Sequence, residues 1–205
     1  MGDEITFIKN PKKTMKLYSL IAILALFLTG CSHLKHAKPT SVYLAKDINF
    51  QLLDLWKVDH DITLNQIVVG TYEGKSYSMN VITQISKKKM TVIGLTPFGV
   101  RAFTLNYDGQ NLDLKLSGFI KNAEEVKPEY ILADMQLIYY PLADIRKNIS
   151  GNISVKETNK KGLKRIFYHG KKPFIEINYS SDDVWKSEII YKNLGQKYQY
   201  KIRNL

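Results

Sequence analysis

The chain has 205 residues and is basic, with 30 Lys and Arg against 19 Asp and Glu and a net charge of +11. A single Cys excludes a disulfide framework, and without an H-E-x-x-H or G-x-S-x-G motif the common metalloprotease and serine-hydrolase chemistries lack their residues. The basic balance suits an anionic membrane, an anionic ligand or nucleic acid, but no Arg-rich or aromatic-interleaved basic helix supports the last.

Leu17 to Leu28 form an apolar run of about twelve residues behind Lys9, Lys12, Lys13 and Lys16. This is the charged n-region and ~7–15-residue h-region of a secretory signal, and it is shorter than the ~20 residues of a spanning helix. Translation from Met15 rather than Met1 gives a more compact signal of the same kind. Leu28-Thr29-Gly30-Cys31 follows and resembles the lipobox of bacterial lipoproteins; an uncleaved signal anchor is the alternative. The resemblance implies removal of residues 1–30, lipidation of Cys31 and firm anchoring, since each buried CH₂ contributes roughly 0.8 kcal/mol. Ser32 is not the Asp that commonly retains such proteins at the inner membrane, so the resemblance further implies the periplasmic face of the outer membrane. Residues 31–45 are expected to be the lipidated Cys and a polar tether, and residues 46–205 one domain with its own core. Without its leader the chain keeps a net charge of about +9. Export makes nucleic acid an improbable partner, and a monomer is expected.

The domain opens with short alternating runs. Leu64 to Tyr72 and Lys75 to Ile85 are joined at Glu73-Gly74; Met90 to Leu95 follows the turn at Lys87-Lys88-Lys89, which reads as solvated or as a contact for anionic headgroups. Val100 to Tyr107 follows Thr96-Pro97-Phe98-Gly99, and Asp108-Gly109 is a hairpin signal before Leu112, Leu114 and Leu116. A period of two places Met79 and Val81, and likewise the three leucines, on one face of an antiparallel sheet.

The middle of the chain changes period. Ile131, Met135, Ile138, Leu142, Ile145 and Ile149 recur at spacings of three and four, one apolar helical stripe, with Asp134 and Gln136 largely off it. Pro141 removes a backbone donor, so two helices are predicted, near 129–139 and 142–148. Strands return at Lys164 to His169, Pro173 to Tyr179, Val184 to Tyr191 and Lys197 to Arg203, the last with Tyr198 and Tyr200 on one face. About nine to eleven strands around a helical insertion predict a mainly β (α+β) fold: a single strongly curved antiparallel sheet, an open half-barrel, with a short helical lid on its concave face.

The stretch Met90 to Leu116 resembles the strand, Pro-hydrophobic-Gly turn, strand and hairpin of LolB-type outer-membrane lipoprotein acceptors, and Pro141-Leu142…Ile145-Arg146…Ile149 is similar to a helix of that family. Ile177-x-Tyr179 and Trp185…Ile189-x-Tyr191 resemble its later strands. A closer similarity is to a family of small bacterial lipoproteins found with aryl-polyene pigment gene clusters, carried by Leu95-Thr96-Pro97-Phe98-Gly99 with Arg101 after it and by Leu132 to Leu142. The resemblance covers roughly Leu64 to Tyr191. It implies the LolA/LolB fold, a hydrophobic cavity for a lipid or acylated cargo, lipid transport through the periplasm and handover from a periplasmic carrier protein. It also implies that the Leu95, Pro97 and Phe98 turn meets the membrane; the other reading folds Phe98 back onto the sheet edge.

The candidate cavity residues are Met79, Val81, Leu112, Leu114, Ile131, Met135, Ile138 and Leu142, with Tyr198 and Tyr200 beside them. Arg101 suits an anionic lipid group or a solvated strand. His33 and His36 lie in the tether, His60 in a charged loop and His169 at a turn. The pairs Glu124-Glu125 and Asp182-Asp183 are adjacent acids in loops, so no catalytic site, metal or cofactor is expected. Two functions fit: an anchored lipid-binding lipoprotein that carries or inserts its ligand, or a non-catalytic envelope scaffold whose core is filled.

Overall fold

Glu73 and Gly74 both hold positive φ, 49° and 76°, the backbone of a two-residue turn whose twist matches that of the strands it joins. The computed structural model describes residues 33–36, 41–55, 60–118, 120, 126–159 and 162–205. Strands β1 (His33–His36), β2 (Ser41–Ala45) and β3 (Ile48–Gln51) come first. The Glu73-Gly74 turn then joins β4 (Ile62–Tyr72) to β5 (Lys75–Ile85), and β6 (Met90–Leu95), β7 (Arg101–Tyr107) and β8 (Leu112–Leu116) continue the meander. Helices α1 (Pro128–Tyr139) and α2 (Leu142–Asn148) interrupt it. After them come β9 (Ile149–Gly151), β10 (Ile153–Thr158), β11 (Lys164–His169), β12 (Lys172–Tyr179), β13 (Ile189–Asn193) and β14 (Tyr198–Asn204).

These strands make a mainly β fold around one large antiparallel sheet in the order β1-β8-β7-β6-β5-β4-β14-β13-β12-β11-β10. The sheet is not closed into a barrel: β1 and β10 are its edges. The pairing of β4 with β14, from Tyr72 opposite Tyr198 to Gln66 opposite Asn204, splices the last strands onto the first meander. All of these elements belong to one compact unit, Ser32–Leu205.

The fold departs from the sequence expectation in three places. A separate three-stranded sheet, β2-β3-β9, stands beside the large one, so the fold is not a single sheet. It forms because Val42, Leu44, Ile48 and Phe50 alternate along a short hairpin and are all buried, and because Gly151 lets β9 approach β3 where any Cβ would overlap the Asp47 carbonyl. The expected tether 31–45 contains β1 and β2, and β1 pairs with β8. The strand expected from Val184 begins at Ile189 instead; Asp183 accepts from the Trp185 amide at 3.0 Å in the preceding turn, and the Trp185 ring stacks on Tyr139 at 4.9 Å.

Pro128 starts α1, where a missing N–H costs nothing, and Pro141 separates it from α2. α1 lies between the two sheets. Gln136 pairs its amide with the backbone of Leu53, accepting at 2.9 Å and donating at 2.8 Å, while Tyr179 donates to the Ile138 carbonyl at 2.5 Å. Buried Arg165 donates to the carbonyls of Leu137 (2.7 Å) and Tyr140 (3.1 Å) and pairs with Glu157 at 2.8 Å. A cation at the C-terminal carbonyls of α1 complements the helix dipole and pins that end of the helix to β11.

Candidate functional site

An apolar cavity of about 250 Å³ lies between α1 and the inner face of the large sheet. The sheet contributes Val68 and Gly70 from β4, Met79 and Val81 from β5, Val92 from β6, Phe103 from β7, and Tyr200 and Ile202 from β14. α1 contributes Ile131, Asp134, Met135, Ile138 and Tyr139. Space remains because several of these positions are small. Gly94 has no side chain, and a Cβ there would overlap the ring of Phe103, so glycine lets that ring lie flat against the wall. Gly70 faces Tyr200 across the β4–β14 pair, where an added Cβ would make only an ordinary contact with the ring at 3.6 Å.

The two ends of the cavity differ. Gln66 lies at the inner end, donating to Asn204 Oδ1 at 2.8 Å and to the Tyr139 hydroxyl at 3.1 Å. Burial pushes the Tyr139 phenol up to about 12, so it stays neutral there. At the other end Tyr77 lines the cavity yet is 64% exposed, which marks the mouth. Among the described residues one carboxylate lines the cavity, Asp134, which is 6% exposed. Its Oδ1 accepts from the Tyr191 hydroxyl at 2.5 Å and its Oδ2 from the Tyr198 hydroxyl at 2.7 Å. Burial raises its carboxyl to about 6, against the lowering effect of these donors.

The register places the Thr96–Val100 turn at the mouth end. Leu95 pairs with Asn80 on β5, and Tyr77 and the Glu73-Gly74 turn lie farther along the same direction. Thr96 accepts from the Gly99 amide at 2.9 Å and donates to the Val100 carbonyl at 2.8 Å, and Gly99 closes the turn at φ 77°. The result is a rigid loop that carries Phe98 at its tip, 92% exposed. Tyr72 and Leu194, also exposed, stand at this same end, since Tyr72 pairs with Tyr198 just after the Leu194 turn. β1 starts here too, with His33 opposite Lys115.

Of the residues expected to line a cavity, the structure brings together Met79, Val81, Ile131, Met135 and Ile138, with Tyr200. Leu112 and Leu114 do not line it: β8 lies beyond β7, and both side chains are packed into closed core. Leu142 is on α2, past the Pro141 break, and Tyr198 points its hydroxyl at Asp134 instead. In the turn, Leu95 is half-buried at the end of β6 while Pro97 and Phe98 are exposed, so Phe98 does not fold back onto the sheet. Arg101 is exposed. Cys31, the leader and Glu124-Glu125 lie outside the described residues. Asp134 and Gln136 are the residues that the single-stripe reading missed. They are buried because α1 is covered on two sides, and the alternating tyrosines at 191, 198 and 200 were the available signal for a polar partner.

No helix among the described residues is long and apolar enough to cross a membrane, and no group of three or more His, Cys, Asp or Glu among them is placed to hold a metal ion. A search of curated proteins finds no significant match. A family profile described as "Protein of unknown function (DUF3261)" matches residues 63–205, a span that takes in β5 through β14, α1 and every cavity-lining residue; the chain belongs to the DUF3261 family.

Proposed function

We propose that this protein is a lipoprotein of the LolA/LolB type, anchored through Cys31 on the periplasmic face of the outer membrane, that binds a single lipid chain beneath α1 and helps carry or insert it into the membrane. The observation that carries this reading is the cavity: apolar, open at one end and left unfilled by the chain's own side chains. A cavity of ~150 Å³ with apolar walls stays dry and takes up one benzene; about 250 Å³ suits one hydrocarbon chain and is small for a lipid with several. The same observation disfavours the scaffold reading, which needs a filled core.

The mouth supports the second half of the proposal. An aromatic ring held on a rigid turn can bury in the headgroup region without disturbing the core, and Phe98 is so placed. Cys31 precedes β1 by two residues, so a lipid there tethers the domain within two residues of a strand that starts at this same end. The test uses residues 32–205, which hold the whole compact unit, titrated with a fluorescent long-chain probe. Saturable, one-to-one uptake is expected, lost in Met135→Arg. Probe that fails to bind, or that binds Met135→Arg equally well, rejects the cavity as the site.

A further inference from the structure

A bound lipid chain uses the cavity's apolar wall and leaves its carboxylate without a task. Asp134 lies one turn from both Ile131 and Ile138 on the cavity side of α1. Tyr191 and Tyr198 each donate to one of its oxygens, and Tyr200, whose ring packs against both tyrosines, stands on the cavity wall itself. A carboxylate offers about four lone-pair sites, so these phenols leave acceptor capacity on the cavity side. None of the ion pairs among the described residues supplies Asp134 with a cation. A buried carboxylate without a cation attracts donors and positive charge, and it repels a second anion strongly because little water screens the pair.

Resting on the lipid-binding reading, we infer that Asp134 selects the polar end of the ligand. The site takes a single-chain amphiphile whose head donates hydrogen bonds, an ammonium or a hydroxyl, and rejects one whose head is a carboxylate or a phosphate. The geometry also sets the ligand's direction. Asp134 bonds to Tyr198, which pairs with Tyr72 at the mouth end, whereas Gln66 and Tyr139 lie at the far end. The head therefore sits on the mouth side and the chain runs inward past Met79, Val81 and Ile138 toward Val92.

The test compares dodecylamine, dodecanol and dodecanoate, identical in chain length, binding to residues 32–205 at pH 7.5 by calorimetry. The amine and the alcohol are expected to bind at least about tenfold tighter than the carboxylate. Asp134→Asn keeps the shape of the side chain, and it is expected to weaken the amine and strengthen the carboxylate until the two agree within about threefold. Tyr198→Phe keeps the ring and frees the acceptor site on Asp134 Oδ2, so it is expected to widen the preference for a donor head. Equal binding of all three heads, or dodecanoate binding tightest, overturns the inference while leaving the lipid-binding reading in place. No binding of any of the three overturns both.

Discussion

Asp134 and Arg165 are both buried and ionisable, yet the protein treats them differently. Arg165 has its charge matched, by Glu157 and by two carbonyls at the end of α1. Truncating it leaves those carbonyls without donors in a closed core, and Arg165→Met is expected to cost roughly 2–4 kcal/mol, measured by urea unfolding; a loss within about 0.5 kcal/mol contradicts that account of the helix end. Asp134 has phenols and no cation, and its carboxyl is raised to about 6 from an ordinary value of 3.8. The folded state therefore holds this proton more tightly than the unfolded state. The group's contribution to stability is fully present below about pH 4 and declines as the pH rises through about 6, by about 3 kcal/mol in all. The difference in unfolding free energy between wild type and Asp134→Asn is expected to fall over that window and to be flat above it. A difference that rises with pH would show the charged form to be the stabilised one.

At the scale of elements, the turns and the helix break were legible and the strand partners were not. Glu73-Gly74, Asp108-Gly109 and Pro141 act locally, through φ preferences, side-chain capping and a missing donor. Asp108 accepts from the Asn111 side-chain amide at 2.9 Å and from the backbone amides of Asn111 and Gln110 at 2.6 and 2.8 Å, and these donors hold its carboxyl below the usual range. The lengths of β5, β6 and β8 follow from such punctuation. The small β2-β3-β9 sheet was not legible, because its strands are short and β9 joins the β2–β3 hairpin from about a hundred positions away, with Ile48 opposite Gly151. Since that sheet covers the far side of α1, Gln136 could not be recognised as buried from one apolar stripe, and Asp134, on the cavity side, is buried by Tyr191 and Tyr198 of strands distant in sequence. The cavity was half legible for a related reason: period two names the inner face of each strand, but only strand order shows that β8 lies outside the cavity and β14 inside it. Leu114 and Met135 now part company. Leu114→Asp puts an unpaired charge into closed core and is expected to unfold the domain, whereas Met135→Arg on the half-buried cavity wall is expected to leave the far-ultraviolet circular dichroism and the cooperativity of unfolding intact while removing chain binding. Two folded variants, or two unfolded ones, would contradict this division.

For the whole molecule, the feature that organises function is that one end of the sheet collects the cavity mouth, the Phe98 turn, exposed Tyr72 and Leu194, and the start of β1. A membrane met at this end receives the ring of Phe98 and the open mouth together. Because Phe98 touches no core, Phe98→Ser is expected to change stability by less than about 0.5 kcal/mol while lowering the partition of residues 32–205 onto anionic vesicles several-fold in a flotation assay. Unchanged partition would separate the turn from membrane contact. Net positive charge adds an attraction that salt weakens, so the effect of Phe98→Ser is expected to persist at high salt, where the charge contribution is screened.

The most direct measurement of the central claim, a cavity that holds one chain, is native mass spectrometry of residues 32–205 released gently from a bacterial periplasm. The account predicts a bound species at one copy per protein, of a mass that fits a single-chain amphiphile, absent from Met135→Arg. A protein that flies bare and takes up no added dodecylamine, dodecanol or dodecanoate would contradict it.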